Sequence, residues 1–216
     1  MPRRTDELRP PVISAPDLPP HLEKAAAHRG ADVHGCLFEL DGDTDLAHGS
    51  LEGCAITGTA DSLDLRGATL MDVELRDMRV ADLSARDANL RRVRLVGGRI
   101  GTLDLNDTRI DELELRGVRI DYLSLAGVKA VDAIVDACHM TALDMPAATL
   151  TRVAFRACRA DEVDTRGMRA EHVDLRGLDA LSFLDVASLR GTTMTPRQIE
   201  LLAPVFATAA GISLRD

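Results

Sequence analysis

Arginine recurs at twenty-residue intervals in this 216-residue chain, at Arg79, Arg99, Arg119 and Arg159, with His139 at the remaining step. Asp64, Asp104, Asp144 and Asp164 form a second set whose separations are also multiples of twenty. Side chains of one charge at one interval can do one kind of chemistry, the electrostatic capture of a surface of complementary charge. The plainer reading is a solvated face. Arg79 lies near Asp82, Arg119 near Asp121, and Arg159 near Asp161 and Glu162. Such pairs neutralise a ladder whose stacked charges repel by only about 1 kcal/mol in water. Both readings stay open at this point.

Other chemistry is poorly represented. The chain has no GxSxG, P-loop, HExxH or dinucleotide fingerprint. Its six His residues form no Cys/His or His/carboxylate cluster at ligand spacing. Glu171-His172 is a lone dyad at an outer corner. Asp41-Gly-Asp-Thr-Asp45 looks like part of a calcium loop, but no Glu follows at the twelfth position, and a solvated turn is the better reading. The chain is therefore read as non-enzymatic, with no cofactor and no metal. Cys36, Cys54, Cys138 and Cys158 make no CxxC pair. Cys138 and Cys158 are expected to be buried free thiols, stacked one coil apart, where a disulfide is geometrically possible but not implied.

Composition narrows the partners. Net charge is -9, which disfavours a phosphate backbone as the main partner and gives no expectation of direct nucleic-acid binding. The excess is uneven: residues 1–60 hold five Lys/Arg against ten Asp/Glu, whereas residues 61–190 hold nineteen against twenty-three. No apolar run is long enough to span a bilayer, and the N-terminus lacks the apolar stretch of a signal peptide, so a cytoplasmic location is expected.

The elements that position these residues come from a short period. Thirteen blocks of ten residues, from Asp61 to Arg190, stack with apolar residues in their third, fifth, eighth and tenth columns. The unit is thus a pentad with apolar residues at its first and third places. Residues i and i+2 pointing the same way is the strand period, yet the next apolar residue comes three places later. A corner must intervene. Gly67, Gly97, Gly117, Gly127, Gly167 and Gly177 occupy the fifth place, with Asp77, Asp87 and Asp107 there in other blocks, as a positive φ asks. Four short sides and four corners close a square in twenty residues, and each side then lies about 4.8 Å from its predecessor. Aromatics are only 2% of the chain, which suits a narrow interior filled by aliphatic side chains.

The pentads Ala68-Thr-Leu70-Met-Asp, Ala88-Asn-Leu90-Arg-Arg, Leu103-Asp-Leu105-Asn-Asp and Val173-Asp-Leu175-Arg-Gly resemble those of the pentapeptide-repeat proteins. The resemblance covers Leu63 to about Phe183. It implies an all-β solenoid, a right-handed quadrilateral β-helix of about six or more coils; the handedness comes from the resemblance alone. Volumes along the interior fit. Met168 accompanies Ala170 and Leu178 accompanies Ala180, trading large for small. Cys158 with Ala160 lacks that trade, so the core is expected to be weakest there, with Thr165 a second soft spot. Asp185 falls on an inward place and ends the register.

Three segments follow. Residues 1–30 are expected to be flexible, with 1–16 disordered and a short helix over His21–Arg29. Residues 31–190 form the β-helix, with irregular first coils over 31–62 to which Leu37, Leu40, Leu46, Leu51 and Ile56 contribute. Residues 191–216 form a C-terminal α-helical cap: Thr195-Pro196-Arg197-Gln198 reads as a capping box, and Pro204 should kink or split the helix. Ile199, Leu201, Leu202, Val205 and Phe206 cover the last coil as a lid, or alternatively form a homodimer contact, a use the resemblance also permits. The function expected is a protein-interaction solenoid of unidentified partner. The alternative, implied wholly by the resemblance, is a DNA-mimicking binder of DNA gyrase or another type II topoisomerase that confers quinolone protection. The nearly neutral coils, the interrupting Arg columns and the lack of a long inserted loop weigh against it.

Overall fold

The computed structural model describes residues 7–215, and they build a parallel β-solenoid of about eight coils closed by one C-terminal helix. All pairings along the coil are parallel, and from Thr59 they join residues twenty apart, as Thr59 to Arg79, Arg79 to Arg99, Leu70 to Leu90 and Val93 to Leu113, until the last, Val173 to Thr192, which is nineteen. Four sides repeat. The first is typified by Leu63–Leu65, the second by Ala68–Leu70, the third by Val73–Leu75 and the fourth by Met78–Val80. The two outer residues of each trio point inward, and both are buried in all four examples. The pentad periodicity and the square coil are therefore one fact seen twice.

The interior is aliphatic and close to full. Phe38, Phe155 and Phe183 are the aromatic residues that reach it. A narrow apolar space of about 30 Å³ runs among Leu83, Leu95, Leu103 and Leu115, about one water's share of liquid volume and too apolar to hold one. Cys158 and Ala160 are buried at the expected soft spot. Thr165 is fully buried too, but its hydroxyl donates to the Leu184 and Asp185 carbonyls at 2.8 and 2.9 Å. That satisfied donor explains why a polar residue is tolerated inward.

The first coils are short rather than disordered. Asp32 pairs with Ser50 and Leu37 with Ala55, eighteen apart; Leu51 pairs with Leu70, nineteen apart. A bulge at Gly58 restores the twenty-residue register, and there a Cβ would meet the Leu40 carbonyl oxygen at 2.6 Å. This drift corrects one expectation: Phe38, not Leu37, is the buried residue of its pair. Leu40, Leu46, Leu51 and Ile56 are buried as expected.

Corners are made in the left-handed region. Gly67, Gly97, Gly117, Gly127 and Gly167 have φ between 62° and 68°, and Asp77, Asp87 and Asp107 share it. Gly177 does not take a positive φ; it is demanded by space, since a Cβ would approach the Phe155 carbonyl oxygen at 2.4 Å. The corner after the second side holds glycine in the first and last coils, at Gly35, Gly53 and Gly191, but uses none from Asp72 to His172. Asp72, Arg92, Glu112, Asp132, Arg152 and His172 all have φ between 50° and 66°.

At the C-terminus, Asp185 leaves the register at φ 62° and starts a 3-10 turn over Val186–Leu189. The helix Pro196–Ala209 follows, with the Thr195–Gln198 capping box formed. Pro204 does not split it: one helix continues through. Gln198 does a second job. Its Nε2 donates to the Leu175 and Leu178 carbonyls at 2.8 and 2.9 Å, satisfying acceptors on the last open edge. Leu202 is buried and Phe206 packs partly on the core, whereas Ile199, Leu201 and Val205 are exposed. The lid thus uses only part of its apolar face.

The N-terminal segment differs most from expectation. Of the disorder expected over 1–16, residues 1–6 lie outside the described residues. From residue 7 the chain runs extended along the solenoid, four of its backbone N–H groups facing side chains of four different coils. Residues 21–29 contain a two-residue strand, Glu23–Lys24, instead of a helix. Glu23 N–H and Ala25 N–H donate to the Gly35 and Leu37 carbonyls, so the sheet edge claims the backbone bonds a helix would need.

Candidate functional site

The twenty-residue register sets the outward columns. On the fourth side Arg79 pairs with Arg99, Arg99 with Arg119, Arg119 with His139, and His139 with Arg159. Five residues thus form one vertical ladder with steps of about 4.8 Å, and all five are exposed. On the first side Asp64, Asp104, Asp144 and Asp164 share a column, with Ser84 and Ser124 between them. Both sets read from the sequence are brought together, each as a line.

The two columns differ in how their charge is used. Asp64 takes a bidentate pair from Arg66, and Asp164 from Arg166, each with a shortest contact of 2.5 Å. Both carboxyls are held below the usual carboxylate range, chiefly by those hydrogen bonds. Asp104 lies 3.5 Å from Arg86, and Asp144 accepts from the Tyr122 hydroxyl at 2.6 Å. That bond to a carboxylate pushes the Tyr122 phenol up. Every aspartate of the acidic line is thereby engaged, Asp64 and Asp164 by their own corners and Asp104 and Asp144 by side chains of the preceding coil.

The basic line is less quenched. Asp121 alone serves two arginines, Arg99 at 3.0 Å and Arg119 at 3.9 Å. Arg159 reaches Asp161 at 3.8 Å. Arg79 has no carboxylate within salt-bridge distance among the described residues, so the pair expected with Asp82 does not form. These pairs are exposed, with side chains roughly half accessible to water, and such contacts are worth about 0–1 kcal/mol.

Glycine shapes the surface between these side chains. Gly98 occupies an inward place that elsewhere on this side holds Met78, Val118 or Cys138. Its φ is 87°, and a Cβ there would lie 2.2 Å from the Met78 carbonyl oxygen. Gly101, at the next corner, would bring a Cβ within 2.6 Å of the Ala81 carbonyl oxygen. At these two close approaches of neighbouring coils lies an open hollow of about 770 Å³ lined by Arg79, Gly98, Arg99, Gly101, Arg119 and Asp121. Three guanidinium groups and one carboxylate border it. The sequence signal was available in Val96-Gly97-Gly98, where the second glycine breaks the apolar column, but the spacing of Arg residues alone does not reveal a depression.

No three His, Cys, Asp or Glu side chains converge to hold a metal among the described residues. In the Asp41–Asp45 cluster, Asp43 accepts from Ser62 and Asp45 from the Ala47 N–H, so its carboxylates serve the turn. Glu171 and His172 are 3.9 Å apart, and His172 Nδ1 faces the Arg9 N–H at 3.4 Å. The four cysteines are free. The Cys138 thiol is pushed up by its hydrogen bond with Cys158 and by burial, the opposite of an activated nucleophile. Among the described residues no helix is long and apolar enough to cross a membrane.

A five-residue unit, four in-register sides and a twenty-residue coil sustained from Thr59 to Asp179 decide the type. The chain is a parallel β-solenoid built on a five-residue repeat. Among solved structures it is similar to two trypsin-treated forms of QnrB1, a plasmid-mediated fluoroquinolone resistance protein. One match has 15% identity and a TM-score of 0.35, covering 91% of this chain and 95% of the other. The second has 12% identity and a TM-score of 0.29, covering 91% and 97%. No family model and no curated protein matches the chain.

Proposed function

We propose that this solenoid is a non-catalytic docking rod whose fourth side captures an acidic segment of a protein partner. The observation that carries the reading is the hollow at Gly98 and Gly101, bordered by Arg79, Arg99 and Arg119 with Asp121 as the one carboxylate. Positive charge held along a line on a rigid sheet costs little to preorganise. The ladder step also suits one partner geometry. Carboxylates three or four residues apart on a helix lie about 5–6 Å apart, close to the step of about 4.8 Å between arginines. From Arg79 to Arg159 the line is about 19 Å long, the length of a helix of roughly thirteen residues. A nucleic-acid partner fits less well, since the whole molecule carries -9 and would be repelled. Free thiols at all four cysteines are in keeping with a cytoplasmic setting.

The reading is tested by comparing proteins captured by the wild-type chain, by Arg99→Glu/Arg119→Glu, and by an Asp104→Asn/Asp144→Asn control. A partner lost with the arginine variant and kept with the control supports it. Capture unchanged by the arginine variant removes it and leaves the column as a solubility device. Binding to a type II topoisomerase remains the second reading. It would draw on the acidic line, which is engaged by Arg66, Arg86, Tyr122 and Arg166. A supercoiling assay with DNA gyrase separates the two: inhibition that survives Arg99→Glu/Arg119→Glu favours the topoisomerase reading.

A further inference from the structure

Four backbone N–H groups of the N-terminal segment end on one corner column. Asp17 donates to Asp72 Oδ1 at 3.0 Å, Ser14 to Glu112 Oε2 at 2.6 Å, Val12 to Asp132 Oδ1 at 3.0 Å, and Arg9 faces His172 Nδ1 at 3.4 Å. The acceptors belong to the glycine-free stretch of the corner after the second side. Between Asp72 and His172 the column climbs five coils, about 24 Å at the ladder spacing. The segment covers that rise in the eight steps from Arg9 to Asp17, about 3.0 Å per residue, close to the 3.1 Å of polyproline II. Pro10, Pro11 and Pro16 fall between the donors, where no N–H is required.

The corner is built to accept such a chain. Arg92 grips Asp72 and Arg152 grips Asp132, each through two hydrogen bonds of 2.5–2.7 Å, which fixes both carboxylates. The left-handed φ at Asp72, Glu112 and Asp132 aims all three outward in the same manner. Beside the column, Glu114 and Ala154 of the third side are buried although they occupy outward places. The donors' own side chains turn outward, Val12 leaving 67% of its surface exposed, while Leu8, Pro11, Ile13 and Pro16 beside them are half-buried. What is read is an extended backbone with N–H groups at set intervals.

We propose that this corner is a peptide-binding groove for extended, proline-containing segments, kept closed by the chain's own N-terminus. A partner segment of that chemistry enters by displacing residues 7–17. The site is distinct from the arginine side and does not rest on it.

The test uses full-length protein and a fluorescein-labelled synthetic peptide of residues 7–20, followed by fluorescence anisotropy. Val12→Pro/Ser14→Pro removes two donors while keeping the extended backbone, and a thermal melt checks that the solenoid is retained. A tethered segment competes at an effective concentration of about millimolar. The peptide should therefore bind the double-proline variant at least about tenfold more tightly than the wild type. Adding Glu112→Ala and Asp132→Ala should abolish that gain. A peptide carrying Val12→Pro and Ser14→Pro should bind neither protein, a control that leaves the fold untouched. Equal binding to wild type and variant overturns the proposal. So does binding indifferent to the loss of Glu112 and Asp132, or to the loss of the peptide's own donors.

Discussion

At Gly98 two demands meet, a positive φ and a carbonyl oxygen in the space a Cβ would occupy. Gly98→Ala should cost about 3 kcal/mol, combining overpacking with left-handed strain. Gly117 has the same sign of φ but nothing within 4 Å, so Gly117→Ala should cost only about 1 kcal/mol. The converse holds at Ala137, where φ is 51°: Ala137→Gly should raise stability by about 0.5 kcal/mol as relieved strain outweighs added chain entropy. Urea titration of the three variants checks the order. Ion pairs give a second prediction at this scale. Asp72 and Asp132 are held below the usual carboxylate range, first by the Arg92 and Arg152 hydrogen bonds respectively. A depressed folded pKa means stability that is present above about pH 4 and lost as pH falls through the folded values. Thermal stability should thus hold from pH 7 to 5 and drop below about pH 4, with Asp72→Asn/Asp132→Asn flattening the drop. The glycines of the corners after the first and third sides were legible because they are glycines. The charged corner was not, since Asp, Arg and Glu carry no local mark of a left-handed φ and the helper arginine lies twenty residues away.

The C-terminal helix is an element whose start was written in four residues. Thr195, Pro196 and Gln198 announce a capping box, and it forms. The sequence does not reveal that the same Gln198 amide also closes the sheet edge, because its acceptors Leu175 and Leu178 are set by the coil. Thr195→Ala should cost about 1 kcal/mol, and Gln198→Ala about 1–2 kcal/mol because it also removes the bond to the Leu178 carbonyl and leaves the Leu175 carbonyl with the Leu178 N–H alone. Equal losses would mean the edge bonds contribute nothing. The segment His21–Arg29 shows the opposite limit. Local propensity there favours a helix, but parallel pairing of Glu23 and Lys24 with Cys36 and Leu37 offers the backbone a better partner. The early coils escape the pattern for a related reason: turns of eighteen and nineteen residues shift the apolar columns, so Phe38 replaces Leu37 inside.

Over the whole molecule, periodicity made the solenoid legible and concealed what departs from it. A solenoid normally couples each coil only to its neighbours. Here the N-terminal segment touches coils as far apart as those of Asp72 and His172, a contact no repeat can encode. The outward columns were legible as lines, because twenty residues return each side to the same place. Their strength was not, since pairing of Asp121 with two arginines and the absence of a partner for Arg79 depend on side-chain geometry. The central claim is that the arginine side binds acidic protein surface. Its most direct measurement is calorimetric titration of a synthetic helical peptide of about thirteen residues, with Glu at every fourth place, into the full-length chain. The account predicts binding at low salt that weakens as ionic strength rises and disappears in Arg99→Glu/Arg119→Glu. Binding that is equal in wild type and variant, or absent from both at low salt, would contradict it.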